Sequence, residues 1–462
     1  MTLTVRVAPQ HVRHRVPREL RAYRAFALSR HLENGVQNPA FRQLVQRIDG
    51  GPLHVAPPVQ LLIDGAETFA VVLDALSHAR EEILLETYIL RADSIGTTVQ
   101  HALVAAVKRG VRVRLLVDAI GSAATKDNFW HSLVAEGVDV RHFHPLFRAP
   151  LQALRRDHRK IVVIDRTIAF TGGMNIAEEY GSSIRSHAGA WRDTFIRVEG
   201  SVALELAAVF AEGWDRAGGE VLPGLEYVSW SDRVVTPPSG FASFAPRGLR
   251  ARVERRIGQE LDRRRGRRVR RDHSSAGDDA MRSMIVLDPR PGRAQRETLA
   301  IMAALAGGAR ERLWVTTPYF APPTRALRML ARVARAGVDV RLLLPGQTDV
   351  PIMRHAAHGA YDYLLSHGVR LFEYMPAVLH AKTLIVDGYA GMVGSSNLDF
   401  RSFWLNAECN LLLFDHACGR ALEESFLADL DSSEEVTTES WSRRSIRHAM
   451  LDFAARLLRW AL

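Results

Sequence analysis

An α/β fold of two pseudo-symmetric lobes is predicted by three features of the sequence. Strand-length apolar runs alternate with amphipathic helices, the pattern of layered α/β structure. The order of alternation in the first half returns in the second. Each half carries one copy of a polar motif: His158-Arg-Lys160-Ile-Val-Val-Ile-Asp165 running on to Asn175, and His380-Ala-Lys382-Thr-Leu-Ile-Val-Asp387 running on to Asn397. In both copies Lys follows His by two positions, Asp by seven, Gly by fourteen and Asn by seventeen. Agreement at that many offsets is the mark of a duplicated site.

The elements follow in order. Residues 17–32 place Leu20, Tyr23, Phe26 and Ala27 at helical spacing among arginines, which predicts a short basic amphipathic helix. Glycine and proline at 50–52 and 57–58 mark a linker. The first lobe then reads as a strand at 59–65, a helix at 69–78, a buried strand at 82–90, a helix at 99–108 stopped by Gly110, a strand at 111–118, a helix at 126–136 and a strand at 138–142. Such alternation predicts in each lobe a mixed, mainly parallel sheet flanked by helices. Later, residues 309–319 line up with 79–88, and 336–344 with 109–117. A period above 200 residues describes two domains, not a solenoid. The expected division is an N-terminal basic helical segment (1–58), a first lobe (59–236), an Arg-rich linker (237–280), a second lobe (281–435) and a C-terminal amphipathic helix (436–462) with Ile446, Met450, Phe453, Leu457 and Leu458 on one face.

Composition narrows the class. A chain of 462 residues with 47% hydrophobic and 24% charged residues can bury a large core, and no apolar run approaches the ~18 residues needed to cross a bilayer. No signal peptide is legible at the N-terminus, so a cytoplasmic location is expected. Two cysteines, Cys409 and Cys418, are too few for a disulfide framework or a zinc site and are expected to be reduced. The net charge of +10 is largely local: residues 247–271 hold twelve arginines against three acids. That concentration suits an anionic surface, phospholipid or nucleic acid, and one part of the segment, with Leu249, Val253, Ile257 and Leu261 at every fourth position, suits a helix lying along a membrane interface.

Strand parity separates the members of each motif. Residues two apart share a face, so His158 and Lys160 project together, as do His380 and Lys382, while Asp165 and Asp387 have the opposite parity and are expected to bond turn amides. Glycines after each strand allow close approach to a bound group, and Asn175 and Asn397 supply amide donors. His, Lys and Asn taken twice make a cationic, donor-rich pocket with no carboxylate cluster for a divalent metal; no metal or other cofactor is expected. Such a pocket suits a phosphodiester, one histidine attacking phosphorus and the other protonating the departing alkoxide. Each ring then needs a carboxylate behind it. Asp193 and Glu408 occupy matching places after the motifs, 35 and 28 residues beyond the histidines of their own copies. Tyr88 and Tyr319, near the ends of matched buried strands, are the expected substrate-facing aromatics.

The doubled HxKxxxxD motif with its trailing Gly and Asn resembles the phospholipase D superfamily. Glu86-Thr87-Tyr88, Thr317-Pro318-Tyr319-Phe320, Asn397-Leu-Asp399-Phe-Arg401-Ser402-Phe403 and Asn406-Ala-Glu408 are similar to bacterial cardiolipin synthases, of the shorter class without N-terminal transmembrane helices. The resemblance implies two lobes with the paired motifs meeting at their interface, catalysis without metal, and phosphatidyl transfer that forms cardiolipin from phosphatidylglycerol and a second phospholipid through a covalent phosphohistidine on His158. It implies phospholipid substrates and peripheral attachment to the anionic inner face of the cell membrane. A phospholipase D-type hydrolase, a phosphodiesterase or nuclease acting on nucleic acid, and a membrane-binding scaffold with a vestigial site share many of these features; nucleic acid is the less favoured partner.

Overall fold

The computed structural model describes residues 22–55, 59–63, 65–144, 155–181, 189–225, 282–290, 294–444 and 452. The expected Arg-rich linker, and the expected C-terminal helix beyond residue 444 apart from Asp452, lie outside the described residues.

Strands β1 (His54–Val55), β2 (Gln60–Leu62), β3 (Glu82–Thr87), β4 (Arg112–Asp118), β5 (Asp139–Phe143), β6 (Ile161–Ile164), β7 (Ile168–Gly172) and β8 (Phe195–Glu199) precede residue 200. After it come β9 (Ser283–Leu287), β10 (Arg312–Thr316), β11 (Asp339–Gln347), β12 (Arg370–Val378), β13 (Thr383–Val386), β14 (Ala390–Gly394), β15 (Asn410–Phe414) and β16 (Ser433–Val436). The seven-stranded sheet of the first lobe has the order β2-β8-β7-β6-β3-β4-β5, and the nine-stranded sheet of the second the order β1-β9-β15-β14-β13-β10-β11-β12-β16. The order β8-β7-β6-β3-β4-β5 recurs as β15-β14-β13-β10-β11-β12, which is the duplication seen in the sequence.

Both sheets are mixed, and antiparallel pairs outnumber parallel ones. Only β3-β4-β5 and β10-β11-β12 are parallel. The expectation of a mainly parallel sheet fails at the motif strands. Parallel neighbours need a crossover helix, whereas β6 turns straight back into β7, and β13 into β14. Two consecutive residues of positive φ make each turn: Asp165 (50°) with Arg166 (55°), and Asp387 (53°) with Gly388 (61°). Such turns match the right-handed twist of the strands that they join.

The strands β3, β6, β13, β14 and β15 are buried along their whole length, as expected of strands covered on both faces. One apolar core runs through the contact between the lobes. Leu206, Phe210 and Trp214 of helix Ser201–Arg216 join Val286 and Leu411 of the second sheet and Phe426 of helix His416–Leu430 in it. Each such side chain contributes roughly 1.5–3 kcal/mol when fully buried, so this shared core is a large part of what holds the lobes together.

The described part of the N-terminal segment completes the second lobe. Helix Pro39–Asp49 is capped by the Asn38 side chain, starts on Pro39 and stops at left-handed Gly50. It packs with helix Ala22–Arg30 against helix Ala294–Gly308, where a side chain on Gly307 would strike the Phe26 carbonyl and one on Gly308 would strike Val36 and Phe41. β1 extends the second sheet by pairing with β9. Among the described residues no helix is long and apolar enough to cross a membrane.

Candidate active site

The two motifs meet because the lobes are stitched together beside them. The peptide around Asp157 bridges in parallel to Ala407, and that around Arg192 to Leu379. His158 N donates to the Ala407 carbonyl (2.9 Å) and Ala407 N to that of Arg156 (2.8 Å); on the other side His380 N donates to the Arg192 carbonyl (2.7 Å) and Arg192 N to that of Val378 (2.9 Å). Each bridge sets a histidine of one lobe next to the residue that follows the bridge in the other.

That residue is a carboxylate in both cases. His158 Nδ1 lies 2.9 Å from Glu408 Oε2, and His380 Nδ1 lies 2.7 Å from Asp193 Oδ2. Asp193 and Glu408 therefore exchange partners relative to the sequence reading, in which each stood with the histidine of its own copy. Spacing along the chain cannot reveal a swap made by inter-lobe bridges. Glu408 also accepts from Ser395 Oγ (2.6 Å), Ser402 Oγ (2.7 Å) and Asn406 Nδ2 (3.3 Å), while Asp193 accepts from its neighbour Thr194 N (2.7 Å).

Lys160 Nζ donates to the His158 carbonyl at 2.8 Å, and Lys382 makes the same bond to the His380 carbonyl. Lys382 Nζ also lies 2.6 Å from His380 Nδ1. Asp193 requires a proton on that nitrogen, so we take the carbonyl as the true acceptor for Lys382, as it is for Lys160. Burial lowers all four groups: Lys160 to about 7, Lys382 to about 8, His380 to about 4, and His158 below the usual imidazole value. Each lysine also depresses the histidine of the opposite lobe, so the motifs form one electrostatic site. Burial works to raise Asp193 and Glu408, yet Lys382 with His380, and His158 with Lys160, hold these carboxylates below their ordinary range.

The asparagines are not equivalent. Asn175 Oδ1 accepts from Ile89 N (3.2 Å) and its Nδ2 donates to Tyr180 Oη (2.9 Å), whereas Asn397 Oδ1 has no hydrogen-bond partner among the described residues. Tyr88 packs edge-on against the His158 ring, centroids 5.1 Å apart, with Lys160 Nζ 5.3 Å from its ring centroid. Tyr319 stands edge-on to His380 at 6.1 Å, its hydroxyl on Asp349 at 2.7 Å. The two tyrosines are one position out of step: Thr87 and Thr317 each donate to the carbonyl two residues on, so Tyr319 corresponds to Ile89.

Asp165 and Asp387 face away from this site. Each accepts three main-chain N–H groups, those of residues 80–82 and 310–312 respectively, at 2.8–2.9 Å. The motif glycines do not line a space for a bound group. A side chain on Gly173 would strike the Asp193 carboxylate, and one on Gly394 would strike the Cys409 carbonyl and Asn410; the bare backbone lets the next strand and its acid approach.

Five contributors have no site role in the sequence reading, where Ser402 and Asn406 stand only as part of the family resemblance. Tyr180 Oη is 3.3 Å from His380 Nδ1 and Trp191 packs 5.2 Å from that ring, while Ser395, Ser402 and Asn406 load Glu408. Tyr180 and Ser402 both stand five residues beyond the motif asparagine, so extending the repeat comparison would have found them. Among the described residues, one cluster has ligand atoms close enough for a metal ion, His355, His358 and Asp452. It shares no member with the paired motifs, and both rings are hydrogen-bonded to Asp452, at 2.8 and 3.2 Å.

Two His–Lys motifs joined across similar lobes, each histidine backed by the other lobe's acid, define an enzyme of the phospholipase D superfamily. The chain belongs to the "Cardiolipin synthase, PLD-like domain" family, whose model matches residues 72–187 and 302–430. It is 31% identical over 453 residues to cardiolipin synthase 1 of Bacillus anthracis, covering 96% of this chain and 82% of that one. It is 32% identical over 427 residues to a cardiolipin synthase of Halalkalibacterium halodurans, covering 92% and 76%. The solved phosphatidylserine synthase of Haemophilus influenzae shares the fold, with a TM-score of 0.63 at 15% identity over 92% of this chain and 100% of that one.

Proposed function

We propose that the protein is a phosphatidyltransferase that forms cardiolipin from phosphatidylglycerol and a second phospholipid through a phosphohistidine. The observation that carries this reading is the pair of cross-lobe contacts, His158 with Glu408 and His380 with Asp193. Both acids engage Nδ1, which leaves Nε2 as the reacting nitrogen of each ring.

His158 Nε2 attacks the donor phosphorus, and the bond from phosphorus to the glycerol oxygen breaks as His380 gives that oxygen its proton. His380, now neutral, takes the proton from the hydroxyl of the incoming phospholipid. That oxygen attacks phosphorus and His158 is released. Lys160, Lys382 and Asn397 are the groups suited to the charge on the non-bridging oxygens. Burial and the lysines disfavour a cationic ring at either histidine; the negative charge of a phosphodiester between the rings works the other way and supports protonated His380. Attachment to the anionic inner face of the membrane belongs to the same proposal.

Lipid mass spectrometry after incubating the purified protein with phosphatidylglycerol in mixed micelles tests it. Cardiolipin with release of glycerol supports the reading. Phosphatidic acid as the main product means that water is the acceptor and the protein is a hydrolase.

A further inference from the structure

We propose that Arg192 is a positioning residue that aims Asp193 at His380 through its grip on the opposite lobe. The inference rests on the reading of His380 as the general acid.

The Arg192 side chain is buried, and all five of its N–H donors are spent. Nε and Nη2 fork onto Asp429 of helix His416–Leu430 at 3.0 and 2.8 Å, and Nη2 also reaches Ser425 at 2.7 Å; both partners belong to the second lobe. Nη1 turns back onto the first lobe, to the Asp193 carbonyl (2.7 Å) and Thr194 Oγ1 (2.8 Å). Thr194 N is in turn the donor to Asp193 Oδ1. The guanidinium thus fixes the peptide on the far side of Asp193, while the Arg192 main chain, paired on both sides of Leu379, fixes the near side.

The other half of the site is anchored differently. The position that corresponds to Arg192 is Ala407, the bridge residue before Glu408, and it has no side chain to reach across. Glu408 is held directly by Ser395, Ser402 and Asn406, whereas no side chain besides those of His380 and Lys382 stands within 4 Å of the Asp193 carboxylate among the hydrogen bonds and ion pairs described. Asp193 therefore depends on its backbone for aim, and its backbone depends on Arg192. Lysine cannot replace the fork, having a single nitrogen to serve both lobes.

The test is the pH profile of kcat, which reports the ionisations of the enzyme–substrate complex, for conversion of phosphatidylglycerol to cardiolipin, with KM measured alongside, in Arg192→Lys, Asp429→Asn and the milder Ser425→Ala. In Arg192→Lys and Asp429→Asn, kcat should fall about 10–100-fold, by analogy with the loss of a partner that orients a metal-ligating side chain, with KM little changed. The limb on which activity falls as pH rises, set by protonated His380, should move to lower pH because Asp193 no longer supports the imidazolium. Ser425→Ala should shift that limb in the same direction by less. A lowered melting temperature with wild-type kcat and an unmoved limb, in Arg192→Lys or in Ser425→Ala should the first misfold, would reduce Arg192 to a structural ion pair and overturn the proposal. His380→Ala in the same assay separates the two claims: if it stays active the general-acid reading fails, and if it is inactive while the Arg192 and Ser425 variants match wild type, only the positioning role fails.

Discussion

His158 Nδ1 lies 2.9 Å from Glu408 Oε2 although 250 positions of chain separate the two residues. Neither lobe holds a finished dyad. The first supplies one histidine and the acid for the other, and the second does the same in reverse. Contact between the lobes is therefore what assembles the proposed reacting groups, and the apolar core that runs between them holds each histidine against its acid.

Replacing either acid should disable turnover without unfolding the protein. Asp193→Asn and Glu408→Gln keep size and remove the charge that orients each ring, so turnover should drop about 10³–10⁴-fold. Glu408→Gln should also cost roughly 1–3 kcal/mol, because the hydroxyls of Ser395 and Ser402 would face an amide in place of a carboxylate. Steady-state rates alongside urea denaturation check both parts.

The motif aspartates should behave in the opposite way. Asp165→Asn and Asp387→Asn keep a residue tolerant of positive φ but lose a carboxylate that three main-chain amides share. A stability loss of roughly 1–3 kcal/mol with near-normal turnover per folded molecule is expected. Loss of turnover at unchanged melting temperature would place these side chains in the site.

The buried lysines make stability and activity diverge above neutral pH. Burial and Lys382 hold Lys160 at about 7 in the folded protein against 10.5 ordinarily. Between those values the unfolded chain binds more protons than the folded one, so this group makes stability rise with pH across about 7 to 10.5. Stabilisation of phosphate oxygens needs the ammonium form, so kcat/KM should fall over the start of the same window. Denaturation midpoints at several pH values should show a shallower rise in Lys160→Met than in wild type; equal slopes would contradict the shift.

What the sequence disclosed and what it withheld divide along a physical line. The repeat exposed the lobes, the paired His and Lys, and the outward parity of Asp165 and Asp387, because these follow from local period and spacing. It did not expose the exchange of Asp193 and Glu408, which is created by bridges between segments remote in the chain, nor β1 joining the second sheet, where two residues are too few to carry a pattern. The alternation of strand and helix predicts parallel pairing only for β3-β4-β5 and β10-β11-β12; the tight Asp165–Arg166 and Asp387–Gly388 turns dictate antiparallel hairpins elsewhere. Tyr180 and Ser402 hold the same place in the two copies but differ in chemistry, so the repeat of residue types does not mark them as a pair.

The central claim is that one histidine from each lobe serves a single reaction with a covalent step. Rapid quenching of the enzyme with phosphatidylglycerol, followed by peptide mass spectrometry under conditions that preserve phosphoramidates, tests it most directly. A phosphatidyl adduct is expected on the peptide carrying His158, absent from His158→Ala, with turnover lowered by orders of magnitude in both His158→Ala and His380→Ala. Ordinary turnover in either variant, or cardiolipin formed in a single turnover with no adduct on either histidine, would contradict it.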